Sequence, residues 1–321
     1  MPRPGLLYYR LLNWQPENRA LAADAFEVLE LDNPDHDTDE ILAEIQACCA
    51  PLGFYFGTEK MDRCPNLRAI VTNTTGVPHI DMAAAAARDI AVFSLKDEQA
   101  FLDTITPTAE HAWGLLLALL RRTPWCFDDI KAGRWNRFDW GAPAMLSRMK
   151  LGIIGYGRLG RRVARYGAAF DMAVRYHDRF VDADGVTERA DTLEDLVAWA
   201  DVVSLHVPSL PETQGLISAK VIARFKPGSL FINTARAELV DEAALLSALR
   251  NGAIAGYGAD VLEGEFGLDF KADEHPLVLH AQTNDNVLLT PHIAGSTQDA
   301  WRETQARVIE MAIAHFKDWT P

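Results

Sequence analysis

The sequence predicts an α/β protein in which parallel β-sheets are covered by helices on both faces. Short apolar runs typical of buried strands alternate with segments of helical character along most of the chain. One of these runs, residues 149–154, leads into a turn rich in glycine. The length of 321 residues and an apolar fraction of 49% predict two domains with sizeable cores.

The composition of the chain excludes several functional classes. A net charge of −14 argues against a nucleic-acid-binding surface, which needs clustered Lys and Arg. No segment predicts a membrane span, because the longest apolar stretch, 112–120, is too short and is followed by Arg121 and Arg122. The N-terminus lacks the features of a secretory signal, and the four cysteines lack metal-ligand spacing. We therefore expect a cytoplasmic protein with reduced thiols and no metal site.

The second half of the chain predicts a single parallel sheet, because strand-like and helix-like segments follow one another in strict alternation. Strands are expected at residues 149–154, 174–177, 202–207, 229–233, 254–260 and 287–290, and helices at 161–170, 193–200 and 242–251.

The first hundred residues also contain strand-like and helix-like segments, but they lack a glycine-rich turn. Residues 6–9 and 69–72 predict strands, whereas 38–49 predicts a helix. Long helices are expected at 108–122, opening after Pro107, and at 297–317. Because these two helices flank the second half, the pattern favours a nucleotide-binding domain inserted between two parts of another domain.

The segment Gly155-Tyr156-Gly157-Arg158-Leu159-Gly160 predicts dinucleotide binding. The first glycine allows a tight turn, the second lets the backbone approach a pyrophosphate, and the third lets helix and strand pack closely. Asp178 follows the next strand, where a carboxylate accepts hydrogen bonds from the adenosine ribose. This context indicates a Rossmann-type doubly wound sheet and favours NAD over NADP. The neighbouring Arg179 leaves NADP open, since it would serve a 2′-phosphate if it turned inward.

Three further groups follow predicted strands of the same sheet. Arg236 lies beyond one strand, the acidic segment 260–265 beyond the next, and His292 beyond the last. Ligands bind outside the carboxyl ends of such strands, so these side chains are expected to converge. Arg can grip a carboxylate through two hydrogen bonds, and His can exchange a proton near neutral pH. Taken singly, each group has a structural explanation: Arg236 as part of a surface ion pair, the acidic segment as a solvated loop, and His292 as a structural histidine. Their joint placement at successive strand ends favours catalysis.

The chain resembles the D-isomer-specific 2-hydroxyacid dehydrogenase family. The resembling segments are residues 151–160, 204–213, 233–241, 260–265 and 290–297, together with the helix around 108–111. The resemblance implies that Arg236 anchors the substrate, that His292 is the acid/base and that Glu265 is its partner. It also implies a set of cofactor-binding residues: the turn 155–160 with Asp178, and then His206, Val207, Pro208, Thr213, Thr234, Ala235, Asp260 and His292. Asp260 would face the nicotinamide carboxamide.

The resemblance further implies a flavodoxin-like substrate domain, formed by residues 1–107 plus 291–321 around a Rossmann domain at 108–290. Backbone N–H groups of its turn at Asn73, Thr74, Thr75 and Gly76 would bind the substrate carboxylate, together with Arg236 and His292. Domain closure would exclude water. Phe54, Tyr55 and Phe56 predict either an apolar pocket wall or core. Two departures, Ala237 for glycine and Phe266 for proline, remove no reacting group.

The predicted function is hydride transfer between NAD(H) and a small 2-oxo acid or D-2-hydroxy acid of the glyoxylate or hydroxypyruvate type. Two alternatives stay open: a nucleotide-sensing scaffold like the corepressors of this fold, and phosphite-type oxidation on the same scaffold. Family members dimerise through the region that matches the aromatic segment 125–140, so a homodimer through it and the Rossmann domain is expected. Glu110 and His111 are interpreted as structural hydrogen-bonding residues.

Overall fold

The computed structural model describes residues 3–182, 185–267 and 269–320. These residues form two compact units. One contains residues 3–105 and 296–320 with the short segment 266–267, and the other contains 106–265 and 269–295. The sequence predicted the domain boundaries at 107/108 and 290/291. That these two units are the substrate domain and the NAD-binding domain stays a prediction.

The first unit is built on a five-stranded sheet in which every neighbouring pair is parallel. Its strands are β1 (Gly5–Tyr9), β2 (Glu27–Leu31), β3 (Ala47–Cys49), β4 (Ala69–Val71) and β5 (Ala91–Phe93). Its helices before the second unit are α1 (Pro16–Ala25), α2 (Asp39–Glu44), α3 (Thr58–Asp62), α4 (Met82–Ala86) and α5 (Gln99–Leu102). The strand order β2-β1-β3-β4-β5 is the flavodoxin-like order.

The helix predicted at residues 38–49 is only half correct. Helix α2 begins after Thr38, whose hydroxyl accepts the N–H of Ile41, and it ends at Glu44. The following residues form β3, which pairs with β1 and β4 at the centre of the sheet. Ala and Cys at 47–49 carry no strong strand preference, and complete burial on both faces decides their conformation.

The second unit is built on a seven-stranded parallel sheet with the order β12-β11-β10-β9-β6-β7-β8. The strands are β6 (Lys150–Ile154), β7 (Ala173–His177), β8 (Glu188–Arg189), β9 (Val202–Leu205), β10 (Ser229–Asn233), β11 (Ile254–Ala259) and β12 (Val287–Leu289). The order reverses direction between β6 and β9, which is the switch point where doubly wound sheets bind ligands.

Helices cover both faces of this sheet. They are α6 (Pro107–Leu120), α7 (Thr123–Lys131), α8 (Arg158–Ala169), α9 (Leu193–Trp199), α10 (Ala219–Ile222), α11 (Glu242–Arg250) and α12 (Pro276–Ala281). Alternating strand residues separate the two cores: Leu230 and Ile232 pack with α6 and α8, whereas Phe231 packs with α9 and α11. The chain then returns to the first unit in α13 (Gln298–His315), which packs on α1.

These two sheets confirm the α/β class and the Rossmann-type fold that the sequence predicts. Among the described residues, no helix has both the length and the apolarity that crossing a membrane requires. The same residues contain no group of three or more His, Cys, Asp or Glu side chains arranged to hold a metal ion.

Candidate active site

The glycine-rich turn joins β6 to α8, and two of its glycines are required by close contacts. At Gly155 the backbone has φ +86°, and a Cβ atom would lie 2.6 Å from the carbonyl oxygen of His206. A Cβ at Gly160 would lie 2.0 Å from the carbonyl oxygen of Gly155, so only glycine lets α8 approach β6. Among the described residues, a Cβ at Gly157 would meet nothing within 4 Å, and Gly157, as the N-cap residue, has no side chain to cap α8. This open helix N-terminus fits a dinucleotide pyrophosphate, and Arg158 and Leu159 begin the helix.

Asp178 lies directly beyond β7 and holds this turn from the other side. One carboxylate oxygen accepts the N–H of Tyr156 at 2.7 Å, and the other accepts the N–H groups of Phe180 and Val181 at 2.8 and 3.0 Å. Burial would raise the pKa of Asp178, but these hydrogen bonds outweigh it and hold the pKa below its ordinary value. Asp178 is therefore an anion at neutral pH, as a ribose-binding residue should be.

His206 follows β9 on the other side of the switch point. Its Nε2 lies 2.8 Å from the hydroxyl of Ser204, and its buried Nδ1 has no hydrogen-bond partner among the described residues. Burial lowers the pKa of His206 to about 4, so the ring is neutral. Val207 and Pro208 continue the loop, and the hydroxyl of Thr213 closes it by donating to the carbonyl of Pro208 at 2.8 Å.

Arg236 is presented by a short loop after β10. The loop is fixed by buried Asn233, whose side-chain oxygen accepts the N–H of Ala235 and whose amide donates to the carbonyl of Arg236. The guanidinium of Arg236 is half-buried and donates to the carbonyl of Ala235 at 2.7 Å. The buried hydroxyl of Thr234 has no hydrogen-bond partner among the described residues. An unpaired buried hydroxyl beside the predicted cofactor site fits a ligand that supplies the missing bond.

Asp260 follows β11 and is only 1% exposed. One oxygen accepts the hydroxyl of Thr290 at 2.5 Å and the N–H of Ile293 at 2.9 Å, and the other accepts the N–H of Ala294 at 2.7 Å. Nε2 of His111, on α6, lies 2.8 Å from the hydroxyl of Thr290 and 3.5 Å from Asp260. Asp260 therefore ties down the loop after β12, and contact with a nicotinamide carboxamide stays a prediction.

His292 lies in that loop with φ +53°, a left-handed conformation that is uncommon for residues other than glycine. Its N–H donates to the carbonyl of Asp260 at 3.0 Å, and its Nδ1 lies 2.9 Å from Oε1 of Glu265. Glu265 stands on the loop after β11, and Gly264 before it has φ +75°. A carboxylate on Nδ1 fixes the tautomer and leaves Nε2 to exchange a proton.

The predicted substrate turn at 73–76 belongs to the first unit, where it follows β4. The hydroxyl of Thr72, in front of the turn, lies 3.1 Å from that of Thr74 and 3.3 Å from Nε2 of buried His79. The Thr74 hydroxyl donates to the carbonyl of Gly76 at 2.6 Å, and this hydrogen bond spans Thr75. Carboxylate binding by this turn stays a prediction.

The structure thus brings several predicted residues into direct contact: Tyr156 with Asp178, Gly155 with His206, and Glu265 with His292. Arg236, Glu265 and His292 follow the adjacent strands β10, β11 and β12. The sequence assigned no role to Asn233 and Thr290, although both fix these loops. Both residues lie in segments that resemble the family. The hydrogen bonds by which Asn233 fixes its loop involve backbone atoms, and that of Thr290 reaches Asp260, which is distant along the chain. Residue patterns do not reveal either kind of contact.

The chain is similar in sequence to known proteins. Residues 113–294 match the family described as D-isomer specific 2-hydroxyacid dehydrogenase, NAD binding domain. D-3-phosphoglycerate dehydrogenase of Bacillus subtilis is 33% identical over 261 residues, covering 80% of this chain and 46% of that protein. Glycerate dehydrogenase of Methylorubrum extorquens is 35% identical over 248 residues, covering 75% of this chain and 74% of that protein.

A solved structure is similar along nearly the whole chain. The crystal structure of D-lactate dehydrogenase from Aquifex aeolicus, complexed with NAD and lactic acid, gives a TM-score of 0.84 at 28% identity and covers 98% of this chain and 96% of that one. This chain spans about half the length of the phosphoglycerate dehydrogenases that it matches. The match over residues 113–294 and the identity to glycerate dehydrogenase show that the chain belongs to the D-isomer-specific 2-hydroxyacid dehydrogenase family and contains its NAD-binding domain.

Proposed function

We propose that this protein is an NAD-dependent dehydrogenase that interconverts a small 2-oxo acid and the matching D-2-hydroxy acid. The observation that supports it most directly is the 2.9 Å contact between Nδ1 of His292 and Oε1 of Glu265, in a sheet that also presents Arg236 on the adjacent strand β10. A carboxylate-oriented imidazole and a guanidinium are the groups that proton exchange and carboxylate binding require.

In the proposed reaction, Arg236 binds the substrate carboxylate and stabilises the negative charge that develops on the carbonyl oxygen. His292 donates a proton from Nε2 to that oxygen during reduction and takes it back during oxidation. Glu265 accepts a hydrogen bond from Nδ1 and so favours the protonated ring. When bound, the nicotinamide supplies the hydride, and the turn at 155–160 with Asp178 would hold the dinucleotide.

We propose small substrates of the glyoxylate and hydroxypyruvate type. Glycerate, in the name of the Methylorubrum extorquens relative, has hydroxypyruvate as its 2-oxo counterpart. A spectrophotometric panel of glyoxylate, hydroxypyruvate, pyruvate and bulkier 2-oxo acids, with NADH and NADPH, tests the proposal. Turnover of at least one small 2-oxo acid at ordinary enzyme rates is expected. Cofactor binding without any turnover would favour the sensing scaffold, and oxidation of phosphite alone would favour that chemistry.

The cofactor preference is expected to depend on Asp178. Because its carboxylate is charged at neutral pH, it repels a 2′-phosphate, so wild type should have a lower KM for NADH than for NADPH. Asp178→Ser should weaken or reverse this preference. Steady-state kinetics with both cofactors at one substrate concentration measure the effect.

Arg179 provides the matched control for this prediction. It is exposed, with its guanidinium 5.5 Å from the ring centre of Phe180, so Arg179→Ala should retain the NADH preference. Equal wild-type efficiency with the two cofactors would contradict the role of Asp178 and would indicate that Arg179 offsets the carboxylate.

We also propose a homodimer through the aromatic segment 125–140. No residue of α7 is buried, and beyond it Trp135 and Phe138 are 88% and 75% exposed. Large exposed aromatic side chains are typical of protein interfaces. Light scattering should give a dimer mass for wild type and a monomer mass for the Trp135→Glu/Phe138→Glu double variant.

Leu279→Glu is the control for the dimer, because Leu279 is an exposed apolar residue on α12, outside the segment. It should remain dimeric. A wild-type monomer at all concentrations would refute the proposal. The cytoplasmic location predicted from the sequence stays a prediction.

A further inference from the structure

Another carboxylate–imidazole pair lies next to the loop that carries Glu265. Glu242 is the first residue of α11, and His275 directly precedes α12. Oε2 of Glu242 lies 3.2 Å from Nε2 of His275, and the two side chains are only 8% and 9% exposed. They line a cleft of about 560 Å³ between these helices. Neither residue has a role in the proposed reaction, and burying such a pair is costly unless its hydrogen bonds are complete.

The other oxygen of Glu242 reaches the active-site loop. Oε1 accepts the N–H of Glu263 at 3.2 Å, two residues before Glu265. The N–H of Glu265 in turn donates to the carbonyl of Leu262 at 3.2 Å, and Gly264 supplies the left-handed conformation between them. The direction in which Glu265 projects is therefore set by a turn that Glu242 holds from outside.

The hydrogen bonds of the pair require the carboxylate form of Glu242. Nδ1 of His275 accepts the N–H of Leu277 at 3.3 Å, so a neutral ring carries its proton on Nε2 and donates it to Glu242. Glu242 thus receives one N–H donor on each oxygen. A proton on either oxygen of Glu242 displaces one of these two donors. The His275 ring cannot change tautomer without losing its hydrogen bond from the N–H of Leu277.

We propose that Glu242, together with His275, is a positioning residue that holds the 262–265 turn and so aims Glu265 at His292. The inference rests on the proposed function, because it assigns Glu242 an effect on that acid/base pair. The carboxylate form keeps the turn in place, and uptake of a proton by Glu242 loosens it.

The charges around Glu242 make this proton uptake relevant near neutral pH. Burial raises the pKa of Glu242 to about 7; the Glu263 N–H lowers it, and the nearby carboxylates of Glu263, Glu265 and Glu238 raise it. Burial lowers the pKa of His275, which keeps the ring neutral. The cationic group that lines the same cleft is Arg250. Glu242 therefore changes charge near neutral pH.

The test compares reduction of the 2-oxo acid as a function of pH in wild type, Glu242→Gln and His275→Asn. Wild-type kcat/KM should fall as the pH drops below about 7, because Glu242 becomes protonated. The Gln side chain has one oxygen acceptor for two N–H donors. In Glu242→Gln the fall of kcat/KM at low pH, its acid limb, should therefore disappear, and kcat/KM at pH 8 should be lower than in wild type by roughly tenfold or more. NADH affinity should stay within about twofold of wild type. Asn at 275 keeps the helix cap but removes the donor to Glu242, so its acid limb should move to higher pH.

Glu238→Gln is the matched control, since Glu238 is an exposed neighbouring carboxylate whose side chain does not hold the turn. It should keep the wild-type rate at pH 8 and an acid limb at slightly lower pH. A wild-type rate and acid limb in Glu242→Gln would overturn the proposal. An equal loss in Glu238→Gln would also overturn it, because the effect would then come from charge alone.

A readout without turnover separates this inference from the proposed function. The imidazole signals of His292, assigned by comparison with His292→Asn, can be titrated by NMR in each variant. Their midpoint should move in Glu242→Gln in the same direction as in Glu265→Gln, and an unchanged midpoint would overturn the positioning role. If Glu242→Gln shifts the His292 midpoint but the wild-type enzyme reduces no 2-oxo acid, the proposed function is refuted and the positioning role stands.

Discussion

His292→Asn is expected to lower kcat for reduction of the 2-oxo acid by about 10²–10⁴-fold, the usual contribution of a general acid. Asparagine tolerates the left-handed backbone at this position but cannot donate a proton of suitable acidity. NADH affinity should remain near that of wild type, because the turn at 155–160 and Asp178 are untouched. Stopped-flow absorbance at 340 nm with saturating substrate would measure the rate, and fluorescence titration would measure NADH binding.

The pair formed by His292 and Glu265 predicts opposite effects of pH on reduction and on oxidation. Glu265→Gln removes the charge that favours the imidazolium, so the alkaline limb of reduction should move to lower pH while oxidation becomes active at lower pH. A variant that is merely destabilised would lose both directions together. His36→Asn, an exposed histidine in a short 3-10 turn, is the control and should behave as wild type. Full activity of His292→Asn would remove the proposed mechanism, and unmoved limbs in Glu265→Gln would remove Glu265 from it.

Arg236→Lys is expected to lower kcat/KM by about 10²-fold or more. The Asn233-fixed loop presents a planar guanidinium that binds a carboxylate through two parallel hydrogen bonds, whereas an ammonium offers a single point of charge. Loss of one donor to a developing negative charge usually costs 10²–10³-fold in rate. NADH affinity should be almost unchanged, which steady-state kinetics and fluorescence titration would establish together.

Arg224→Lys is the control for Arg236, because Arg224 is an exposed arginine in the same unit, before β10. It should retain wild-type kinetics. Equal losses of turnover and NADH binding in Arg236→Lys would instead identify Arg236 as a structural residue of the loop.

The elements that the sequence predicted well are those with strong local signals. The strand at 229–233 has the predicted bounds, because an apolar run stands between turn-forming residues. The glycine-rich turn was equally clear, since two of its glycines, Gly155 and Gly160, are required by close backbone contacts. The helix predicted at 38–49 was wrong in its second half, because the conformation of β3 comes from its neighbours β1 and β4 rather than from its own residues.

The contacts that order the candidate site were harder to predict. Asp260 receives its hydrogen bonds from residues 290, 293 and 294, some thirty positions further along the chain. Glu242 and His275 are likewise separated by the whole of β11 and its loop. No periodicity or spacing links such residues. Motifs predicted the candidate reacting groups, whereas the side chains that hold them in place became apparent only from the tertiary structure.

The left-handed backbone of His292 has a consequence for protein engineering. Glycine would adopt φ +53° without the steric cost of about 1 kcal/mol that a side chain adds there. Selection for thermal stability alone would therefore favour replacement of the residue on which the proposed chemistry depends. In directed evolution of this chain, a heat-tolerance screen without an activity screen would tend to enrich inactive variants at position 292. The local strain is thus a stability–activity trade-off confined to one residue.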